Sequence, residues 1–223
     1  MTLKIIARIK SDFPEKFGIP RQSGLADTRA TIVFEPEFRH PDAIKEIEGF
    51  SHLWLIWQFS QAVRENWSPT VRPPRLGGNR KIGVFATRSP FRPNPLGLSS
   101  VKLDGVGYNR ADGTVLYVSG ADLMDGTPIY DIKPYLPYTD CHPEATGGFA
   151  PAPPEGLQVN FPPEMLVQIP AEKQSGLLEV LTQDPRPAYQ ADEERVYTMS
   201  FAGFEISFMV SGNTLRICGV RKS

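Results

Sequence analysis

The sequence predicts a mostly β chain in two parts: a β domain over residues 1–142 and a small α+β unit over 164–223, joined by a Pro/Gly-rich linker over 143–163. Three observations predict it. Up to Ile132, short runs rich in β-branched and aromatic residues alternate with clusters of Gly, Pro, Asn and Asp. Residues 143–163 then hold Gly147, Gly148, Pro151, Pro153, Pro154, Gly156, Pro162 and Pro163 with few aliphatic side chains, a linker composition. Beyond them one helical pattern precedes three strand-like runs.

Leu3–Ile9 alternates enough for a first strand, and residues 11–24 are irregular, punctuated by Pro14, Gly18, Pro20 and Gly24. Thr31–Phe34 reads as a second strand. Pro41–Ile47, opening with a proline and an acid, reads as a short helix. Phe50–Gln61 is the most apolar segment, and its aromatic and β-branched content predicts a central strand ending in the polar Ser60 and Gln61. His52 lies inside that run and is expected as a hydrogen-bonded core residue. Pro69–Asn79 has no period and is expected as a long loop, a kind of segment that is usually functional or mobile.

Lys81–Phe85 and Leu98–Leu103 read as short strands around Thr87–Pro95. Three prolines in that connection fix φ and remove backbone donors, so it cannot be an interior strand or helix. It is a stiff loop carrying two guanidiniums (Arg88, Arg92), two hydroxyls (Thr87, Ser89) and one amide (Asn94). Polar groups held still lose little entropy on binding, which suits a site; a Pro-rich connector with solvated arginines is the plainer reading.

Val101–Val106 and Thr114–Val118 flank a hairpin loop, and in Gly120–Pro128 the Asp125-Gly126 pair supplies a left-handed turn position. Ile129–Ile132 is short and extended. In the second unit, residues 171–183 fit a helix weakened by Gly176. Arg195–Phe201, Phe204–Val210 and Thr214–Val220 fit a meander turning at Gly203 and Gly212-Asn213.

At 40% hydrophobic and 22% charged, the composition is that of an ordinary globular protein. The longest apolar run, near Leu53–Trp57, is far short of the roughly 20 residues of a membrane span. No signal-peptide core follows Met1, and Cys141 and Cys218 make no disulfide framework, so a reducing cytoplasm is expected. The net charge of −1 argues against a nucleic-acid partner, but its distribution does not. Residues 64–92 hold Arg64, Arg72, Arg75, Arg80, Lys81, Arg88 and Arg92 against the single acid Glu65. Such a patch suits phosphate contacts, or is a solvated loop paired with acids elsewhere.

Several constellations are missing. No Gly-x-Gly-x-x-Gly follows a strand, no Walker-type Gly-Lys-Ser is present, and there is no Gly-x-Ser-x-Gly elbow. His40, His52 and His142 lack metal-ligand spacing, and the adjacent Cys141-His142 has poor chelate geometry, so no metal is expected.

PRQSGL at 20–25, FSHLWLIWQFSQ at 50–61 and the long RPPRLGGNRKIGVFATRSPFRPNPLGLSSVKL at 72–103 resemble the TrmO (TsaA-like) tRNA methyltransferase family. So do DLMDGTPIYDIKPYLPY at 122–138 and QDPRPAY at 183–189. The resemblance implies a β-barrel with a smaller C-terminal domain, working as a homodimer. It implies transfer of the methyl of S-adenosylmethionine to the exocyclic nitrogen of N6-threonylcarbamoyladenosine, beside the anticodon of threonine tRNA. It also implies cofactor positions: Pro20, Arg21 and Gln22, then Ser60 and Gln61, Arg88, Leu98, and Met124, Asp125, Gly126 and Thr127. At Ser60 the chain departs from the family's His-Gln, a serious loss if that His acts as a base and a small one if the position lends only backbone contacts to adenosine.

For the chemistry, Asp131, flanked by Lys133 and Tyr138, is the candidate proton acceptor, with Asn94 as an orienting amide. A turn-stabilising salt bridge between Asp131 and Lys133 is the alternative. Arg72, Arg75, Arg80 and Arg92 are candidates for phosphates, and Arg186 with Tyr189 for a phosphate and a stacked base. An RNA-binding module without catalysis, or a same-fold methyltransferase acting on a small molecule or protein, would share these features.

Overall fold

The computed structural model describes residues 2–186 and 192–223. Its strands are β1 (Ala7–Lys10), β2 (Arg29–Phe34), β3 (His52–Gln58), β4 (Thr70–Val71), β5 (Ile82–Gly83), β6 (Leu96–Asn109), β7 (Gly113–Ser119), β8 (Pro128–Pro134), β9 (Gln158–Asn160), β10 (Tyr197–Phe201), β11 (Phe204–Ser211) and β12 (Thr214–Lys222). Six of them pair in the order β1-β2-β7-β6-β3-β8, and β8 returns to β1 through Ala7 opposite Ile129, closing the barrel. Every pairing in it is antiparallel. Closure satisfies both edges of each strand.

Alternation decides what fills it. In β3, Leu53, Leu55 and Trp57 are buried while the residues between them are not, and Val101 and Leu103 of β6 meet them inside. The two strand runs expected around residues 98–106 are one 14-residue strand. The glycines there do not break it, because the ring of Tyr117 lies over Gly107, where a Cβ would come within 2.4 Å of Cε2. A register shift between Leu103 and Gly105 bends the strand instead.

Other expectations are corrected. The first strand starts at Ala7, not Leu3, and residues 41–49 form 3₁₀ turns rather than an α-helix, since Glu46 sits in the left-handed region at φ 67°. Lys81–Phe85 is a two-residue strand running into a 3₁₀ turn over Val84–Ala86. His52 is exposed at the start of β3 with its Nδ1 3.0 Å from the Ser51 hydroxyl, not in the core; it takes an outward position of the alternation.

The second unit is a sheet of order β10-β11-β12-β9, crossed by a helix. The helices are α1 (Pro137–Asp140), α2 (Pro163–Leu166) and α3 (Ala171–Thr182). Within the segment read as linker, β9 pairs parallel with β12. Three residues are too few to show a period; Leu157, Val159 and Phe161 at alternate positions enter or pack against the second core.

That second core is not built from the C-terminal residues alone. Phe13 and Ala26 are buried in it beside Phe201, Phe208 and Leu177, with Phe17 and Ile19 packed against it. The Phe13 and Phe201 rings meet edge-on at 5.5 Å. Polar contacts follow the same line: Lys173 pairs with Asp12 at 2.6 Å, the Asp27 amide donates to Glu179 at 2.7 Å, and Gln183 Nε2 donates to the Leu25 carbonyl at 2.7 Å. The irregular segment 11–28 is thus pinned between barrel and C-terminal unit.

Gly176 lies on α3 where the helix backbone approaches this segment. A Cβ there would sit 3.0 Å from the Asp27 carbonyl oxygen and 3.2 Å from Thr28 Cγ2. Gly176→Val is therefore expected to lower unfolding free energy by about 1–3 kcal/mol, the cost of overpacking a filled contact. Urea unfolding followed by tryptophan fluorescence checks it, and an unchanged midpoint would contradict the close approach.

Candidate functional site

A cleft of about 870 Å³ opens where the 16–23 loop, the end of β3, the 87–98 segment and the 122–127 turn converge. That lies within the ~300–1,000 Å³ usual for small-molecule sites. Pro20, Arg21, Gln22, Ser60, Gln61, Arg88, Leu98, Met124 and Thr127 all line it, and so do Asn94 and Arg92. Four stretches of chain, from Pro20 to Thr127, therefore meet at one place.

The walls are tied together by their own polar groups. Lys16 Nζ donates to the Gln61 carbonyl at 3.1 Å, and Gln61 Nε2 reaches the Met124 sulfur at 3.2 Å. Arg88 donates to the Gln22 side-chain oxygen, joining the Pro-rich loop to the 20–22 loop. Arg21 donates to the Asp184 and Arg186 carbonyls at 3.4 and 3.2 Å, so the turn after α3 holds this loop from behind. Thr127 is buried, its hydroxyl donating to the Met124 carbonyl at 2.7 Å to close the turn.

The floor is aromatic. Trp57 lies flat on Gly97, where a Cβ would come within 2.2 Å of the indole, and its ring centroid is 4.3 Å from that of Phe59. Only glycine permits that close approach of the indole. Trp57 Nε1 donates to Ser99 Oγ at 2.9 Å, and Ser99 in turn donates to Asp122 Oδ1 at 2.5 Å. Ser99 is buried, so its single proton, committed to Asp122, orients the carboxylate.

Asp122 is the functional candidate that sequence reasoning missed. It lines the cleft, and burial pushes its pKa above the ordinary 3.8. The Ser99 hydrogen bond, backbone amides at Asp122 and Ser23, and the Arg88 charge oppose that shift without cancelling it. The available signal was an acid set between the buried apolar residues Ala121 and Leu123, which turns it to the opposite side from the core.

The neighbouring acid of the same turn points elsewhere. Asp125 accepts from the Ser11 amide at 3.0 Å, and with Gly126 it borders a separate cavity of about 260 Å³ beside Arg8 and Arg39. Asp125 and Gly126 are therefore not in the cleft, although Met124 and Thr127 are. Gly126 does hold the left-handed turn position, at φ 74°.

The catalytic expectations are corrected more strongly. Asp131 lies on β8 outside the cleft, paired with Lys133 at 3.0 Å and accepting from the Ile132 amide at 3.0 Å. Strand alternation puts residues 131 and 133 on one face, which makes the salt-bridge alternative the observed one. Tyr138 is 86% exposed on α1, away from the cleft. Asn94 alone of the three borders it.

Among the residues expected to meet phosphates, Arg72 and Arg80 are exposed and Arg75 donates to the Ala152 carbonyl. Arg92 is half-buried and donates to the Thr87 and Ser89 carbonyls at 3.1 and 3.4 Å, bracing the Pro-rich loop rather than projecting from it. Arg186 is not available: its side chain is 14% exposed and bidentate to Asp184 at 2.8 and 2.9 Å, hydrogen bonds that raise its pKa. Tyr189 lies outside the described residues. Among the described residues no three His, Cys, Asp or Glu side chains converge as a metal site would require.

A family model for the tRNA-methyltransferase O N-terminal domain matches residues 8–141, and one for the TrmO C-terminal domain matches 154–223. A tRNA (adenine(37)-N6)-methyltransferase of Escherichia coli strain K12 is 43% identical over 216 residues, 92% of each chain. A Pseudomonas aeruginosa protein provisionally named as an S-adenosylmethionine-dependent methyltransferase is 46% identical over 196 residues, 84% of this chain and 83% of its own. The crystal structure of TrmO from Pseudomonas aeruginosa superposes with a TM-score of 0.80 at 34% identity, covering 100% of this chain and 97% of that one. With both halves of the sequence matched, the chain belongs to the TrmO family of tRNA methyltransferases.

Proposed function

We propose that this chain transfers the methyl group of S-adenosylmethionine to N6 of an adenine in tRNA, and that this adenine is N6-threonylcarbamoyladenosine beside the anticodon of threonine tRNA. The observation that carries the reading is the convergence of the 20–22 loop, Arg88, Leu98 and an oriented, half-buried Asp122 on one aromatic-floored cleft. The relatives' names support the reaction, and the sequence resemblance supports the finer substrate and a homodimer. A tRNA substrate supports a cytoplasmic reaction.

The residues present fit the cofactor. Trp57, Phe59, Pro20 and Leu98 offer flat apolar surface for an adenine ring, and the Arg88 guanidinium offers charge-assisted hydrogen bonds to a carboxylate. Bound there, S-adenosylmethionine would supply an electrophilic methyl group. The walls then hold the acceptor nitrogen close, and proximity alone can contribute about 7–11 kcal/mol of the rate enhancement.

A ureido-type nitrogen becomes a useful nucleophile only as its proton is shared with an acceptor. With Asp131 outside the cleft, Asp122 takes that role, and Asn94 orients the base. The Trp57–Ser99 relay keeps one carboxylate oxygen directed, and a raised pKa makes the carboxylate a better base than a solvated aspartate.

The direct test is tritiated-methyl transfer to tRNA with and without the threonylcarbamoyl group. Label should enter only the modified tRNA. Equal transfer to unmodified tRNA would remove the finer substrate, and no transfer to any tRNA would remove the function.

Asp122→Asn should lower kcat by about 10²–10⁴-fold, the range for a positioned acid or base, with S-adenosylmethionine affinity by calorimetry unchanged. In the unsubstituted protein kcat should fall as pH is lowered through the Asp122 pKa, which lies above 3.8, and the variant should lack that limb. A parallel loss of cofactor affinity would make Asp122 a cofactor ligand instead.

The same variant should be folded, and its stability has a defined sign. Because the folded pKa is raised, the stabilising contribution is fully present below 3.8 and is lost as pH rises through the folded value. Asn stays neutral throughout, so Asp122→Asn should gain on the unsubstituted protein in urea denaturation between pH 3 and pH 7. Arg88→Ala, in contrast, should weaken cofactor binding by about 1.5–3 kcal/mol, the scale of a hydrogen bond to a charged group. Undiminished binding in calorimetry would place the carboxylate elsewhere.

A further inference from the structure

Strands β4 and β5 form a two-stranded ribbon, with Thr70 opposite Gly83 and Val71 opposite Ile82. Just beyond the ribbon, Trp67 and Phe85 come together, their rings 6.1 Å apart at 32°. They are not covered: Trp67 is 53% exposed and Phe85 73%. The loop between the strands carries Arg72, Arg75, Arg80 and Lys81, all exposed. Nearer the cleft the Arg64 guanidinium sits 3.7 Å from the centroid of Phe91, which lines the cleft itself.

The charge on this ribbon is unneutralised. The ion pairs of the described residues involve Lys4, Arg8, Lys10, Lys102, Lys133, Lys173, Arg186, Arg221 and two histidines, and no base between 64 and 92. An exposed aromatic pair among unpaired cations poorly suits an apolar protein partner, which would have to desolvate those charges without counterions. It suits single-stranded nucleic acid, whose bases stack on rings while its phosphates meet guanidiniums. Paired stems hide their base faces, so unpaired loop nucleotides are what such a surface takes.

Resting on the function proposed above, we propose that Trp67 and Phe85 are a stacking platform for an unpaired base of the tRNA anticodon loop, with Arg72, Arg80 and Lys81 on the flanking phosphates. The turn that bears Phe85 leads directly into Thr87 and Arg88 on the cleft wall. A nucleotide held on the platform therefore fixes the loop beside the cleft that receives the reacting adenine.

The test uses the full chain and a fluorescent anticodon stem–loop RNA, with affinity read by anisotropy across a salt series. Trp67→Ala and Phe85→Ala should each weaken binding roughly 5- to 150-fold, the scale of one base–aromatic stack. Their salt slopes should match the unsubstituted protein, because stacking releases no counterions. Arg72→Ala and Arg80→Ala should instead lower the slope by about 0.7–0.9 for each phosphate that is no longer neutralised. Trp67→Phe should restore affinity, and cofactor binding should be unchanged throughout.

RNA affinity undiminished in Trp67→Ala, while the unsubstituted protein binds and methylates, would overturn the platform and leave the proposed function standing. Loss of an oligomer in Trp67→Ala by light scattering, with RNA affinity kept, would assign the face to a second copy of the chain. Failure of the unsubstituted protein to bind the stem–loop while it methylates full-length tRNA would overturn the platform alone; absence of both binding and methyl transfer would overturn both.

Discussion

Burial of Phe13 in the C-terminal core is the contact on which the site depends. The segment from Ser11 to Thr28 has no regular structure and could not hold a loop in place by itself. Its apolar side chains, Phe13, Phe17, Ile19 and Ala26, enter a core formed by α3 and the four-stranded sheet. Burying a phenylalanine contributes about 1.5–3 kcal/mol, enough to anchor an otherwise irregular stretch. Between these anchors the chain presents Pro20, Arg21 and Gln22 to the cleft, with Arg21 held from behind by carbonyls of the turn after α3. The C-terminal unit thus shapes the site chiefly through the loop it immobilises.

The barrel supplies the complementary half. Its closed pairing leaves few ways for β3 and β6 to shift, and their rim carries Trp57, Gly97 and Ser99. A buried indole N–H and a buried hydroxyl require partners, and they find them in series, ending on a carboxylate at the cleft wall. Satisfying the core's polar groups and orienting Asp122 are one arrangement. The burial that makes it costly to ionise Asp122 also makes it a stronger proton acceptor.

Charge is distributed by the same separation of roles. Outside residues 64–92 the acids outnumber the bases, and the ion pairs of the described residues lie there. Among the described residues, none of the cations of the 64–92 segment, on the β4–β5 ribbon and the proline-stiffened loop, takes part in an ion pair. A near-neutral protein can therefore present a strongly positive face to a polyanion without a large net charge to screen.

Local pattern was enough for much of this. Alternation and turn residues located the barrel strands, the hairpin at 107–113, helix α3 and the C-terminal meander, because each depends on neighbours two to four residues away. The PRQ, Arg88 and Leu98 positions were legible through a long and unusual motif, and the cleft does gather them. What the sequence could not carry is which face a side chain takes once strands pair. Asp122 and Asp125 sit in one turn, yet only Asp122 reaches the cleft; Asp131 looks equally reactive but shares a strand face with Lys133. Strand β9 and the entry of Phe13 into the second core are contacts between residues far apart in the chain, and no local period records them. The sequence by itself determined the inventory of elements and chemical groups; tertiary pairing decided which groups meet, because a site is defined by distances that only packing sets.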